Sequence, residues 1–118
     1  MTQDIIDLPE VLERVQNDRD LLLELLDIFL SDCPSKIKAI TEAVHARDFE
    51  KLKEVSHSMK GASGNISAKK IHAAFLAIEQ KAKTNTLDGL DKILKDLDGH
   101  MNDLQSYSLQ LKEEFKKT

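Results

Sequence analysis

The sequence predicts an all-α fold: an antiparallel four-helix bundle with a short additional helix at its N-terminal end. Apolar residues recur three and four positions apart along most of the chain, which is the period of amphipathic helices. Only four glycines and two prolines occur in 118 residues, and aromatic residues make up 4%. Leu, Glu, Lys and Ala, which favour helices, fill most segments. We expect a single domain over residues 1–118.

The first helix is expected over residues 8–16. Asp7 can cap it, Pro9 is tolerated in its first turn, and Glu10 follows three residues after the cap. Its apolar residues form a single face, so we expect it to pack across one end of the larger bundle.

A long helix is expected over residues 19–46. One heptad-like apolar stripe runs through it from Leu22 to Val44. Pro34 interrupts this stripe without changing its phase, so we expect one helix that is kinked near residue 34. Cys33 lies on the stripe, and we interpret it as a small buried hydrophobe.

The third helix is expected over residues 49–64, after a break at Arg47–Asp48. Gly64 and Asn65 tolerate positive φ and suit its end. Its apolar positions are spaced three, four, three and four apart: Leu52, Val55, Met59, Ala62 and Ile66.

Two further helices complete the predicted bundle. One is expected over residues 68–83, with Ser67 as its N-terminal cap. The other is expected over residues 87–115, after a short polar loop. Gly99 lies inside this last helix, and nothing in the sequence explains it.

His57 lies on the face of the third helix opposite its apolar stripe. A helix turns about 100° per residue, so Lys60 and Gly61, at i+3 and i+4, share the face of His57. Gly64 lies on the same side, two turns from His57. The sequence therefore predicts an imidazole exposed to solvent, with an ammonium group one turn away and two residues without side chains beside it.

Composition excludes several classes of function. A formal net charge of −4 argues against a nucleic-acid binder, which would need a basic surface. No apolar run approaches the roughly 20 residues of a membrane span. The polar start does not look like a signal peptide, and one cysteine fits a reducing compartment, so we expect a cytoplasmic protein.

An exposed neutral imidazole is a nucleophile near neutral pH without an activating base. Phosphoryl transfer needs in-line positioning and charge neutralisation more than elaborate side-chain chemistry. Lys60 could neutralise phosphate oxygens, and Gly61 could let another protein approach His57 closely. This combination suits a phosphoryl-accepting site.

The stretch from His57 to Ile66, His-Ser-Met-Lys-Gly-Ala-Ser-Gly-Asn-Ile, closely resembles the motif of histidine-containing phosphotransfer (HPt) domains. The flanking Asp7-Leu8-Pro9 and Arg47–Asp48 also fit that layout, so the resemblance covers nearly the whole chain. Two positions depart from it: Ser67 stands where the family typically has Gly, and Ser56 where it often has Ala.

The resemblance implies a phosphorelay intermediate. His57 would accept a phosphoryl group from a receiver-domain aspartate and pass it to another receiver, with Lys60 assisting the phosphate. Gly61, Gly64, Ser56 and Ser58 would form the docking surface. The implied partners are receiver domains of response regulators or of a hybrid kinase.

The resemblance also implies a carrier and not an enzyme that turns over by itself. The receiver would supply the Mg²⁺, so we expect this chain to hold no cofactor and no metal. We further expect a monomer that binds neither nucleic acid nor membrane.

Two alternatives remain at this stage. Di-iron bundles use Glu-x-x-His spacings, which occur here at Glu42/His45 and Glu54/His57. Bundle metal ligands must point inward, whereas the helical phase turns these residues away from the apolar stripes. The second alternative is a helical adaptor that binds receivers or kinases without carrying phosphate.

Overall fold

The computed structural model describes residues 5–117, which form five helices: α1 (Leu8–Arg14), α2 (Arg19–Ala46), α3 (Phe49–Asn65), α4 (Lys69–Lys83) and α5 (Leu90–Lys116). α3 packs against α2 and α4, and α5 packs against the same two helices. The four long helices therefore close into a bundle measuring 49 × 23 × 22 Å. Short loops make successive helices antiparallel, and the predicted fold class is confirmed.

An apolar core runs along the bundle. Fully burying one large apolar side chain contributes roughly 1.5–3 kcal/mol. The largest fully buried side chains are Leu22, Leu26, Ile40, Leu52, Met59, Ile71, Phe75, Ile78, Leu90, Leu97, Leu104 and Leu111. Within the described residues, no helix combines the length and apolar character that a membrane span requires.

α1 ends at Arg14, two residues before the predicted end. Gln16 and Asn17 follow with φ of 56° and 61°, a left-handed backbone that cannot continue the helix. The start agrees with the prediction, because Asp7 Oδ1 accepts a hydrogen bond from the Glu10 amide at 3.1 Å.

α2 runs without interruption past Pro34, as its unbroken apolar stripe predicted. Cys33 is buried beside Met101, with the two sulfur atoms 3.6 Å apart. Burial raises the pKa of the Cys33 thiol to about 12. The thiol is therefore protonated at neutral pH and packs as a small hydrophobe, as predicted.

The turn between α3 and α4 differs from the prediction. α3 extends through Gly64 and Asn65, and the left-handed residue is Ser67, with φ of 56°. Ser67 does not cap α4; Ala68 occupies that position, with no side-chain hydrogen bond. The side chain of Ser67 instead donates a hydrogen bond to Oε1 of Glu10 in α1 at 2.6 Å.

α5 begins at Leu90, three residues later than predicted. Gly89 precedes it with φ of 78°, a conformation that L-residues rarely adopt and that delays the start of the helix.

Candidate functional site

His57 lies in the middle of α3, and 68% of its side chain is exposed. Leu52 and Met59, on the opposite face of the helix, are buried. The phase of the apolar stripe predicted this orientation. The buried face also contains two serines that the apolar pattern did not indicate, Ser56 and Ser63.

Glu79 of α4 is the residue that sequence reasoning missed. Only 4% of its side chain is exposed, yet its carboxylate meets three potential donors from α3 and α4. Oε2 lies 2.8 Å from His57 Nδ1 and 3.8 Å from Lys83 Nζ, and Oε1 lies 2.7 Å from Lys60 Nζ. The contact with Lys60 lowers the pKa of Glu79 most, and the hydrogen bond with His57 lowers it further, while burial opposes both.

This carboxylate sets the protonation pattern of the histidine ring. Because its pKa is lowered, Glu79 is ionised at neutral pH and can only accept hydrogen bonds. The hydrogen on a neutral His57 ring must then be on Nδ1, which donates to Glu79. Nε2 is left with a free lone pair, so it is the nucleophilic atom of the ring.

Lys60 contacts α4 through both its side chain and its backbone. Its ammonium group, on a side chain 24% exposed, pairs with Glu79 one turn from the imidazole. Its backbone carbonyl accepts from the hydroxyl of Ser63 at 3.0 Å and from Nδ1 of His72 at 2.9 Å. The Lys60 ammonium is therefore held beside His57 by Glu79. The backbone of Lys60 is also bonded to α4, through the His72 ring.

The two glycines on this face have different surroundings. A Cβ on Gly61 would meet nothing within 4 Å, whereas a Cβ on Gly64 would lie 3.3 Å from His72 Nδ1. Gly64 therefore provides room for the His72 ring. No contact within the described chain requires a glycine at residue 61, and its role in letting a partner approach stays a prediction.

The two serines expected on the docking surface lie in different environments. Ser58 is exposed beside His57, and its docking role stays a prediction. Ser56 is completely buried, and its hydroxyl donates to the Leu52 carbonyl at 2.7 Å. The prediction that the Ser56 side chain contributes to docking is wrong, because Ser56 is one turn from Leu52 on the core face.

Residues of α1 and its N-terminal cap are hydrogen-bonded to the end of α3 and the turn between α3 and α4. Arg14 Nη1 donates to the Gly64 carbonyl at 2.6 Å, and the Asp7 amide donates to the Ser67 carbonyl at 3.0 Å. Glu10 accepts from Ser67 and also pairs with Lys69 at 3.0 Å. These contacts hold the left-handed turn without the glycine that the HPt motif typically has there.

The Glu-x-x-His spacings do not point into the bundle. Glu42, His45, Glu54 and His57 are all exposed. Residues 5–117 contain no group of three or more His, Cys, Asp or Glu side chains placed to hold a metal ion.

Comparison with known proteins identifies the family of this chain. The model of the Hpt domain family matches residues 24–107, a range that includes His57, Lys60 and Glu79. The chain belongs to the Hpt domain family. The match covers α3 and α4 completely and most of α2 and α5.

Relatives of this Hpt domain include the phosphorelay protein LuxU of Vibrio harveyi. The two sequences are 38% identical over 63 residues, which is 53% of this chain and 55% of LuxU. The matched segment thus spans about half of that relative.

Two solved structures share the fold. Histidine-containing phosphotransfer protein B (HptB) of Pseudomonas aeruginosa PAO1 has a TM-score of 0.79 at 22% identity. The HPT domain of a sensor hybrid histidine kinase from Shewanella has a TM-score of 0.71 at 19% identity. Each comparison covers 98% of this chain and 97% of the other.

Proposed function

We propose that this Hpt domain is a phosphorelay intermediate that carries a phosphoryl group on Nε2 of His57. The observation that carries the proposal is the pairing of Nδ1 with the buried carboxylate of Glu79. In the neutral ring this pairing leaves the lone pair of the exposed Nε2 free. LuxU, a relative named for a phosphorelay role, supports the same function.

The transfer follows from this geometry. The Nε2 lone pair attacks the phosphorus of an aspartyl phosphate on a receiver domain, forming a P–N bond as the P–O bond to the aspartate breaks. The aspartate carboxylate leaves, and the Nδ1 proton stays in place. The ring becomes positively charged, and the Glu79 carboxylate stabilises that charge. The same steps in reverse pass the group to a second receiver.

Lys60 balances the charge of the phosphoryl group. Its ammonium lies beside the same carboxylate as the ring, so a shift of its flexible side chain brings it to the phosphate oxygens. The Mg²⁺ used in such a transfer is expected on the receiver. We therefore propose a carrier that depends on partner receivers, acts as a monomer and works in the cytoplasm.

The test compares two histidine variants. His57→Gln should abolish labelling, both by phosphoramidate, a small donor that needs no docking, and by a phosphorylated receiver. The matched control, His72→Gln, changes the half-buried histidine of the same interface and should keep the label.

The label should be labile to acid and stable to base, and circular dichroism should show that both variants keep their helices. Labelling of the His57→Gln protein would contradict the proposal. An unlabelled wild-type protein that still binds receivers would instead favour the adaptor function.

A further inference from the structure

Lys83 of α4 is a second ammonium group beside the Glu79 carboxylate, and the transfer described above uses only Lys60. Lys83 Nζ lies 3.8 Å from Glu79 Oε2, whereas Lys60 Nζ lies 2.7 Å from Oε1. The side chain of Lys83 is 50% exposed, and that of Lys60 is 24% exposed. Lys60 is therefore held closely in this structure, while Lys83 is a looser neighbour with room to move.

The two oxygens of Glu79 differ in their hydrogen bonding. Oε2 accepts from Nδ1 of His57 at 2.8 Å. Oε1 is buried and accepts no hydrogen bond from the described residues, because the Lys60 ammonium is paired with it by charge without the alignment of a hydrogen bond. A buried carboxylate oxygen is costly when it has neither a cation nor a donor beside it. Oε1 therefore needs a replacement whenever Lys60 moves away.

Phosphorylation of His57 gives Lys60 a competing partner. Nε2 lies across the ring from Nδ1, so a phosphoryl group on Nε2 is separated from Glu79 by the width of the imidazole. An ammonium group that turns to the phosphoryl oxygens therefore moves away from the carboxylate. Lys60 is one turn from His57 on α3, whereas Lys83 is one turn from Glu79 on α4. Lys83 therefore stays within reach of the carboxylate when Lys60 leaves it.

The charges of the site also favour a role for both lysines. Before transfer, Lys60 and Lys83 surround the single carboxylate of Glu79, which leaves one net positive charge. A phosphoryl group adds a charge of about −2, and the ring gains one positive charge as the P–N bond forms. The phosphorylated site is then close to neutral. Without Lys83 it would have a net charge of about −1.

We propose that Lys83 replaces Lys60 at Oε1 of Glu79 when His57 is phosphorylated, which releases Lys60 to the phosphoryl oxygens. Lys83 is then a positioning residue, because it acts through Glu79 and touches no reacting atom. The movement is short, since a contact of 3.8 Å to Oε2 becomes a charged hydrogen bond of about 2.8 Å to the neighbouring oxygen. This inference rests on the proposed function and adds the residue that keeps the buried carboxylate paired during transfer.

The rate of phosphoramidate labelling measures this role without a partner protein. Lys83→Met should slow the labelling of His57 about three- to tenfold, because the departing Lys60 leaves Oε1 unpaired. Lys83→Arg should recover most of that rate, since a guanidinium also pairs with a carboxylate. The matched control is Lys70→Met, which removes an exposed lysine near the start of α4 and should stay within about twofold of wild type.

Two further measurements separate this role from a structural one. Urea unfolding should show that unphosphorylated Lys83→Met is as stable as Lys70→Met, because a loose, half-exposed ion pair contributes little to stability. In ¹⁵N NMR, the signal of the Lys83 ammonium should shift when the wild-type protein is phosphorylated. The shift should be much smaller in Glu79→Gln, where the acceptor is uncharged.

The outcomes separate this inference from the proposed function. Wild-type labelling rates in Lys83→Met, or equal losses in Lys83→Met and Lys70→Met, overturn the exchange of lysines while the labelled His57 stands. A loss seen only with a phosphorylated receiver would make Lys83 a partner contact, which also overturns it. A loss of stability that Lys83→Arg does not restore has the same consequence. A wild-type protein that phosphoramidate cannot label overturns the proposed function and this inference together.

Discussion

The two histidines at the α3–α4 interface make the same hydrogen bond to different acceptors. His57 Nδ1 lies 2.8 Å from the Glu79 carboxylate, and His72 Nδ1 lies 2.9 Å from the Lys60 carbonyl. The first ring is exposed beside a cation, whereas the second is half-buried against Gly64. Under the proposed function, the acceptor and the exposure of the ring, not the residue type, distinguish the nucleophilic His57 from His72, which is a structural contact.

The expected difference in reactivity between the two rings depends on the charge of the acceptor as well as on the exposure of the ring. A carboxylate stabilises positive charge that develops on a ring during attack, and a neutral carbonyl does so much less. His57 therefore has the partner that suits the proposed phosphoryl transfer. His72 has a partner suited to holding two helices together.

The largest effect is expected from Glu79→Gln, which gives His57 a neutral partner like that of His72. The amide can keep a hydrogen bond but does not stabilise the charged ring, so transfer should slow by roughly 10- to 100-fold. Single-turnover kinetics with a phosphorylated receiver measure the rate, and ¹⁵N NMR shows which ring nitrogen carries the proton.

Glu79→Gln has a control in Glu54→Gln, which changes an exposed acid of α3 and should transfer normally. An unchanged rate in Glu79→Gln would mean that the carboxylate is only a structural contact, and the distinction between the two histidines would then fail.

The second test uses the glycine beside each histidine. Gly64→Ala should be less stable than Gly61→Ala by about 1–2 kcal/mol, because its Cβ would lie 3.3 Å from Nδ1 of His72, a ring that is held by its bond to the Lys60 carbonyl. Gly61→Ala meets open space and should stabilise the helix by up to about 1 kcal/mol, yet it should slow receiver-dependent transfer. Urea unfolding and transfer kinetics on both variants measure these opposite effects.

If both glycine variants lost the same stability, the packing difference between the two positions would be refuted. If Gly61→Ala kept wild-type transfer, Gly61 would have no role in docking.

The smallest effect concerns acid pH. The pKa of Glu79 is lowered from its ordinary value of 4.5, chiefly by Lys60. A lowered pKa means that the ionised carboxylate stabilises the fold above about pH 4.5 and that this stabilisation is lost as pH falls below it. Relative to Glu79→Gln, wild type should progressively lose its stability advantage on acidification.

Unfolding free energies at pH 5, 4 and 3 check this expectation. The corresponding difference between wild type and Ser58→Ala, an exposed change that removes no titratable group, should stay constant over that range. A difference between wild type and Glu79→Gln that was constant down to pH 3 would show that the Glu79 charge contributes nothing to stability.

Helical periodicity alone determined much of this molecule. It predicted the all-α bundle, the uninterrupted α2 across Pro34 and the exposed ring of His57, because all three depend on the position of a residue around its own helix. The same reasoning failed at turns. Gln16, Ser67 and Gly89 adopt left-handed backbones. At Ser67 the turn is held by Asp7 and Glu10, which are distant in the sequence.

Only the tertiary structure identified Glu79 as the partner of His57, 22 residues away. It also showed that a Cβ would meet open space at Gly61 and the His72 ring at Gly64. The sequence places Glu79 directly after the buried Ile78, at the edge of an apolar stripe, which indicates a boundary position and no particular partner. Periodicity fixes the direction of a side chain about its own helix axis. The meeting of two side chains also depends on the rotation and register of the neighbouring helix, which the packing of the whole core decides.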